Sequence, residues 1–275
     1  MIVSVTLTQL ALPGLCAAAL FVAALLYLQR PAVTHGTVVA WLPWLVAGGV
    51  LHALRGVVGY PAVVASVFEL PWVYLLTATV GGFGWTLITQ FASSRGAREF
   101  VPHYFGLMGV GLLLAPGVLL IVSAGAASPQ TLFVWALVPV VAGILTYLTL
   151  IALGLWMPSP TYFAGSAGAA VVYGVALNGI VAALAIGVGG QAAPPWLVVL
   201  ASAVARLDPV TYPLALVSGA VWVRLALGIA AIRLLAALGR SHDALAQRGL
   251  DLAIVASVVL SANAFLLGFV GGWVG

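Results

Sequence analysis

Eight long runs of apolar residues, separated by short polar segments, constrain this chain more than any other feature of its sequence. Each run is close to the roughly 20 apolar residues that a helix needs to cross a bilayer. Backbone groups in lipid must be hydrogen-bonded within the chain, and these runs do not alternate as barrel strands do. The sequence therefore predicts an all-α, polytopic transmembrane helix bundle of about eight spans in one integral membrane domain. Two parallel four-helix repeats are one arrangement of these spans. The predicted spans are residues 9–29, 37–57, 70–92, 104–126, 131–156, 162–189, 211–236 and 250–273.

The composition indicates that lipid is the main solvent. Hydrophobic residues make up 64% of the 275 and charged residues only 5%, whereas a soluble domain carries about 25% charged residues. The net charge of +4 comes from nine arginines spread over many loops, so no basic patch suggests a nucleic-acid partner. The one cysteine, Cys16, permits no internal disulfide. We expect contacts with membrane lipids, and a membrane-protein partner or a homo-oligomer.

Two connectors are longer than a simple turn. Residues 57–69 contain PAVVASVF, which indicates a short interfacial helix. Residues 190–210 contain PPWLVVLASAVARLD, which indicates an interfacial or re-entrant helix with a tryptophan near its start. The apolar stretch within each is too short to be counted as a span. If either one crossed the membrane, the orientation of every later span would be reversed.

The arginines predict the orientation of the spans, because loops rich in arginine stay in the cytoplasm. Six lie in or beside odd-numbered loops, namely Arg30, Arg95, Arg98, Arg233, Arg240 and Arg248. Arg55 and Arg206 lie at even-numbered loops. This distribution predicts a multi-pass protein of the cell (plasma) membrane with cytoplasmic odd loops and both termini outside.

A weak internal repeat relates the two halves of the chain. Residues 69–74 read ELPWVY and residues 208–212 read DPVTY, so an acid precedes Pro-x-x-Tyr in both, and a glycine follows ten residues after the proline. The stretch GVLHALRGVVG at 49–59 also aligns with GIVAALAIGVG at 179–189. Two parallel four-helix repeats would explain both matches. Chance in so restricted an alphabet is the alternative.

Four stretches, spread over most of the chain, carry a family resemblance. They are LPWLVAGGVLHAL at 42–54, Pro71-x-x-Tyr74 at the start of span three, Leu177-Asn178-Gly179 in span six and Tyr212-Pro213-Leu214 in span seven. In their order they resemble an archaeal family of membrane proteins called domain of unknown function 63. The resemblance implies a polytopic helical fold and no known activity.

The chain departs from that family at its most polar positions. The family usually carries a His-x-x-Asp-Gly run in the counterpart of span six, with a threonine beyond it and then a Glu-x-His near a proline. Here these positions are Val175, Asn178 and Ala182, and the later acid and histidine fall near Gly190 and Ala192. The resemblance therefore assigns no site to this chain and favours a degenerate or repurposed copy.

Arg224 lies about twelve residues into span seven, near mid-membrane, where a charged side chain is costly and suggests function. Its candidate partners are Glu69, Asp208, Asn178 and Tyr74. One interpretation is a clamp for an anion or a lipid headgroup, because a guanidinium binds carboxylate and phosphate through paired hydrogen bonds. The other, which we favour, is a structural salt bridge that fixes helix register.

His52 and Arg55 lie one helical turn apart toward the outer end of span two. With Glu69 they form either a proton relay or substrate site, since histidine titrates near neutrality, or an interfacial cap with Arg55 reaching the headgroups. The cap is the favoured interpretation. The full candidate binding pocket consists of His52, Arg55, Glu69, Tyr74, Asn178, Asp208 and Arg224.

Two further predictions concern side chains near the ends of spans. Arg95 and Glu99 are four residues apart and are predicted to pair on an extended helix end. The nine tryptophans cluster near span ends, which favours anchoring at the membrane interface.

The sequence favours a non-catalytic structural or accessory membrane component, because the polar residues of the family are missing and the polar interior is sparse. The first alternative is a transporter, or a small-molecule or lipid binder, with the candidate pocket facing outward. The second alternative is a membrane enzyme acting on a lipid or isoprenoid, although no acid, base and nucleophile set is visible. No ligand-spacing motif predicts a metal, and we expect no cofactor.

Overall fold

The computed structural model describes residues 2–29, 34–123, 129–187, 192–205, 212–241 and 244–271. These residues form ten α-helices and a short 3-10 helix, and they contain no strand. Eight of the α-helices are long and apolar enough to cross a membrane. The predicted all-α polytopic bundle is confirmed, and the chain is a multi-pass membrane protein.

The first compact unit, called unit one, spans Met1–Gly125. Its helices are α1 (Ile2–Gln29), α2 (His35–Val57), α3 (Ala62–Val67), α4 (Trp72–Ser94) and α5 (Val101–Ser123), with the 3-10 helix Arg98–Phe100 just before α5. Helix α2 packs against both α4 and α5, and α1 packs against α4. Helix α4 also packs against α5, so in the described part of unit one it contacts all three of the other long helices.

The second compact unit, called unit two, spans Ala126–Gly275. Its helices are α6 (Pro129–Trp156), α7 (Pro158–Gly187), α8 (Pro195–Ala205), α9 (Tyr212–Arg240) and α10 (Ala244–Gly271). Helix α7 is central, because it packs against α6, α9 and α10. It bends at Gly165, whose φ of 49° is accessible to glycine at little steric cost.

The two units share one order of elements: two long helices, a short helix and two more long helices. Four helix pairings also correspond. The α2–α4 contact matches α7–α9, α2–α5 matches α7–α10, α4–α5 matches α9–α10 and α3–α4 matches α8–α9. The first helices differ, since α1 packs against α4 whereas α6 packs against α7. The shared order agrees with the predicted four-helix repeats.

Both long connectors contain a short helix, as predicted. Helix α3 has 6 residues and α8 has 11. At about 1.5 Å per residue they are roughly 9 and 17 Å long, which is less than the roughly 30 Å of a hydrocarbon core. Neither helix is therefore long enough to span a bilayer.

Tryptophans form the core of unit one. Trp44 has no exposed surface, stacks on Phe105 with ring centroids 5.0 Å apart and donates from Nε1 to the Phe105 backbone oxygen at 3.2 Å. Trp85, which is 5% exposed, meets the same phenyl ring edge-on. The prediction of interface anchoring is therefore wrong for Trp44 and Trp85, which are buried. For Trp44, α5 carries Gly109 where the indole approaches and so makes room for it.

Candidate functional site

Three residues of the predicted pocket come together where α2 ends and the chain returns through α3. Arg55 Nη2 lies 3.2 Å from Glu69 Oε1, and His52 Nδ1 lies 3.0 Å from the backbone oxygen of Phe68. His52 and Arg55 share one face of α2 because they are one turn apart. The side chains of the ion pair are 38% and 52% exposed, so this group lies at the protein surface.

Tyr74, the fourth predicted residue in unit one, packs its ring against α2. A Cβ added at Gly48 would lie 3.1 Å from two carbons of that ring. The absence of a side chain at position 48 therefore leaves room for Tyr74, which helps to hold α4 close to α2.

Replacing Glu69 with glutamine should change the unfolding free energy by less than about 1 kcal/mol, because exposed ion pairs contribute about 0–1 kcal/mol. A double-mutant cycle with Arg55→Gln, followed by unfolding in mixed micelles, would measure the coupling between the two side chains. A coupling energy of several kcal/mol would contradict the surface assignment and would indicate a buried, desolvated pair.

Arg224 and Asn178 come together in unit two. Both line a cavity of about 180 Å³ between α7, α9 and α10. Val175, Ser257 and Ser261 are among its other walls. In the described part of the chain, the Arg224 guanidinium makes one hydrogen bond, from Nη1 to the backbone oxygen of Ala220 at 2.9 Å. The predicted acidic partner, Asp208, lies outside the described residues.

The α7 wall of this cavity differs in sequence from the matching part of α2 in unit one. Continuing the alignment of the two repeat halves toward the N-terminus pairs Trp41 with Val171 and Trp44 with Gly174. In unit one the two indoles pack over the glycines of α4 and α5 and fill the space between α2, α4 and α5. In unit two Val171 and Gly174 occupy the corresponding positions. There α10 approaches α7 closely, since a Cβ added at Gly174 would lie 2.7 Å from Ser261 Oγ.

Six of the seven predicted pocket residues are described, and they belong to two groups. His52, Arg55, Glu69 and Tyr74 lie in unit one, whereas Asn178 and Arg224 lie in unit two. A single pocket that contains all of them stays a prediction.

A larger cavity, which the sequence does not predict, lies in unit one at the other end of α2 from Arg55. We call it the end cavity. It measures about 760 Å³ and lies among the last turns of α1 and α4, the first turn of α2 and the segment that leads into α5. Its polar walls include Gln29, Thr37, Trp85, Thr89, Ser93 and Glu99. The spacing of Trp85, Thr89 and Ser93 at every fourth position marks one face of α4 and was a signal available in the sequence.

The charged residues at the end cavity are arranged differently from the prediction. Arg95 and Glu99 do not share a helix, because α4 ends at Ser94 and the chain turns at Gly96, whose φ is 67°. The predicted helical pair is therefore wrong. Arg98, which also lines the cavity, donates from Nε to Ser93 Oγ at 2.9 Å.

Comparison with known proteins adds no functional assignment. The chain matches no protein-family model, no curated protein and no solved structure. The resemblance to domain of unknown function 63 stays a prediction, and the two cavities are the features from which a function can be inferred.

Proposed function

We propose that the chain is a non-catalytic membrane protein that binds a small acidic group, a carboxylate or a phosphate, beside Arg224 in unit two. One observation carries this proposal. An arginine in the middle of a membrane-spanning helix lines a cavity together with a side-chain amide, and none of the residues in the described walls of that cavity is acidic.

Because Arg224 lies deep in a membrane-spanning helix, a nearby negative charge would stabilise its charged form. It is the thirteenth of the 29 residues of α9, about 18 Å along the helix axis from Tyr212. A charged side chain at the centre of a membrane helix costs at least about 2.5–3.5 kcal/mol. A guanidinium has five N–H donors, and Ala220 accepts from one of them. A bound anion would occupy further donors and offset the charge.

The size of the cavity limits what can enter it. The cavity measures about 180 Å³, below the roughly 300–1,000 Å³ of drug-sized ligand sites. This volume suits a carboxylate or phosphate group and excludes a whole lipid. The acidic group belongs either to a small free anion or to the headgroup of a lipid whose chains remain in the bilayer.

Replacing Arg224 with glutamine should weaken anion binding about 10- to 100-fold, because charge-assisted hydrogen bonds contribute about 1.5–3 kcal/mol. Inorganic phosphate and acetate, titrated calorimetrically into the protein in a neutral detergent, test a free anion. Phosphatidic acid retained from phosphatidylcholine nanodiscs, detected by native mass spectrometry, tests a lipid headgroup.

Arg233→Gln is the matched control. Arg233 lies on the same helix, but its guanidinium is exposed and contacts Met157 Sδ at 3.4 Å. This variant should bind like the unmodified protein. The proposal fails if the unmodified protein binds neither the free anions nor phosphatidic acid, or if both glutamine variants lose binding equally.

A structural or accessory role is the second candidate, and a specific observation favours it. His52, Arg55 and Arg224 all have partners within the chain, namely the Phe68 carbonyl, Glu69 and the Ala220 carbonyl. Such a component would act by contact with another membrane protein or with a second copy of itself. Loss of stability in Arg224→Gln, together with no anion binding by the unmodified protein, would favour this role.

Family and orientation are further proposals. The quoted sequence stretches support membership of domain of unknown function 63, and the arginine distribution supports a plasma-membrane protein with both termini outside. On that orientation, the end cavity of unit one opens toward the cytoplasm.

A further inference from the structure

The cavity beside Arg224 has one formal charge in its described walls. Arg224 is the only ionisable residue among them, and the other polar residues there are Asn178, Ser257 and Ser261. The remaining described wall residues are aliphatic or glycine. Because an arginine in a protein keeps its proton, these walls carry a single positive charge throughout the physiological pH range.

The cavity lies far from both ends of the three helices that form it. Arg224 is twelve residues beyond the start of α9, and Ser257 lies in the middle of α10. Asn178 is nine residues before the end of α7, about 14 Å along the helix axis. All three helices are long and apolar enough to cross a membrane. Since a net charge at this depth is costly, the occupied cavity is most stable when the charge of the ligand balances that of Arg224.

The serines of the cavity do not add hydrogen-bond donors for an anion. A serine hydroxyl has one proton. Ser257 Oγ donates its proton to the Ala253 backbone oxygen at 2.7 Å, and Ser261 Oγ donates its proton to the Ser257 backbone oxygen. In the described walls, the side-chain donors left for a ligand belong to Arg224 and to the Asn178 amide. The charge of the ligand is therefore balanced by one guanidinium.

A second negative charge on the ligand costs more than it contributes. The Born cost of taking an ion out of water rises with the square of its charge, whereas its attraction to one fixed cation rises only in proportion to that charge. We propose that the Arg224 cavity selects a group with a single negative charge, such as a phosphodiester or a singly ionised phosphomonoester, and rejects phosphate dianions. This inference rests on the proposed function, because it concerns the ligand of the same cavity.

Other ionisable residues on these helices, and on α6 and α8 that pack against them, lie outside the described walls. They are Tyr147 on α6, Tyr162 and Tyr173 on α7, Tyr212, Arg233 and Arg240 on α9, and Arg248 and Asp251 on α10. A ligand whose own charge does not change with pH would report any effect of these residues on binding. A phosphodiester is such a ligand and serves as the internal control.

Two small phosphates of similar size test the selectivity. Dimethyl phosphate is a monoanion at neutral pH and above, whereas methyl phosphate loses its second proton near pH 6. Both are titrated calorimetrically into the unmodified protein in a neutral detergent, at about pH 5 and about pH 8. The Kd of methyl phosphate should be about 100-fold higher at the higher pH, because only about 1% of it is then singly charged. The Kd of dimethyl phosphate should not change.

Two lipids present the same groups as headgroups. Phosphatidylmethanol is a phosphodiester and phosphatidic acid is a phosphomonoester. Each is offered in phosphatidylcholine nanodiscs, and native mass spectrometry measures the lipid that the protein retains at each pH. A headgroup site should retain phosphatidylmethanol at both pH values and lose phosphatidic acid at the higher one. The same pattern with the small phosphates alone would assign the cavity to free anions.

Asn178→Asp tests the same inference from the side of the protein. Its carboxylate would balance Arg224 within the cavity, so the Kd of dimethyl phosphate should rise more than about 100-fold at the higher pH, since like charges in contact are costly. Asn178→Ala is the matched control, because it removes the same amide without adding a charge. It should raise the Kd only about 5- to 10-fold, the amount expected for one neutral hydrogen bond.

The inference is overturned, while the proposed function stands, if phosphomonoesters bind as tightly at the higher pH as at the lower one. It is also overturned if Asn178→Asp binds dimethyl phosphate as tightly as Asn178→Ala does. If neither pair of probes binds at either pH, the proposed function fails as well. Circular dichroism and gel filtration establish that each variant is folded. The pH series uses the unmodified protein and decides the outcome if Asn178→Asp does not fold.

Discussion

Replacing Trp44 with alanine should lower the unfolding free energy by about 3–5 kcal/mol, the usual cost of truncating a buried aromatic residue to alanine. Trp44 has no exposed surface, and its indole stacks on Phe105 and donates to the Phe105 carbonyl. Alanine would leave a cavity between α2 and α5 and a carbonyl without this donor. Unfolding in mixed micelles with increasing dodecyl sulfate would measure the loss.

Trp156→Ala is the matched control for this prediction. Trp156 is 87% exposed at the end of α6, and substitutions away from packed positions usually change stability by about 0.5 kcal/mol or less. An equal loss of stability in the two variants would show that burial does not determine the contribution of these indoles. Trp44→Phe should fall between them, because it keeps a ring but loses the hydrogen bond.

Replacing Gly239 with alanine should lower the unfolding free energy by about 2–3 kcal/mol, near the upper end of the usual cost of overpacking. A Cβ added at Gly239 would overlap the backbone oxygen of Phe163. That atom belongs to the backbone of α7 and cannot rotate away as a side chain would. Helices α7 and α9 must therefore separate at this point, which thermal unfolding in detergent would detect.

Gly154→Ala distinguishes steric conflict from a general effect of replacing a helical glycine. A Cβ added at Gly154, in α6, meets no atom within 4 Å. Alanine is favoured over glycine in a helix interior by about 1 kcal/mol, so this variant should be neutral or more stable. If Gly239→Ala were as stable as Gly154→Ala, the close approach of α7 and α9 would be wrong.

The existence and length of the helices could be predicted from the sequence because both depend on local composition. The span predicted at 37–57 corresponds to α2, which runs from His35 to Val57. The short helices in both long connectors were predicted for the same reason. The bend at Gly165 could not be predicted, since this chain has 32 glycines and most of those in helices do not interrupt them.

The pairing of Arg55 with Glu69 was also accessible from the sequence. One-turn spacing and a short connector limit how far these groups can move apart. The role of the tryptophans was not accessible, because a residue near a span end can face lipid, headgroups or a neighbouring helix. Trp44 faces α5 because Gly109 leaves room for its indole there.

The sequence by itself determined a membrane-embedded helical chain with eight span-length helices and an arginine deep in the seventh, because apolar runs and their lengths are local properties. Only the tertiary structure decided which polar side chains share a cavity, because that depends on how each helix is rotated and how closely its neighbours pack. Tryptophans fill the space between three helices in unit one. In unit two α10 approaches α7 closely at Gly174, and Arg224 and Asn178 line a cavity between α7, α9 and α10.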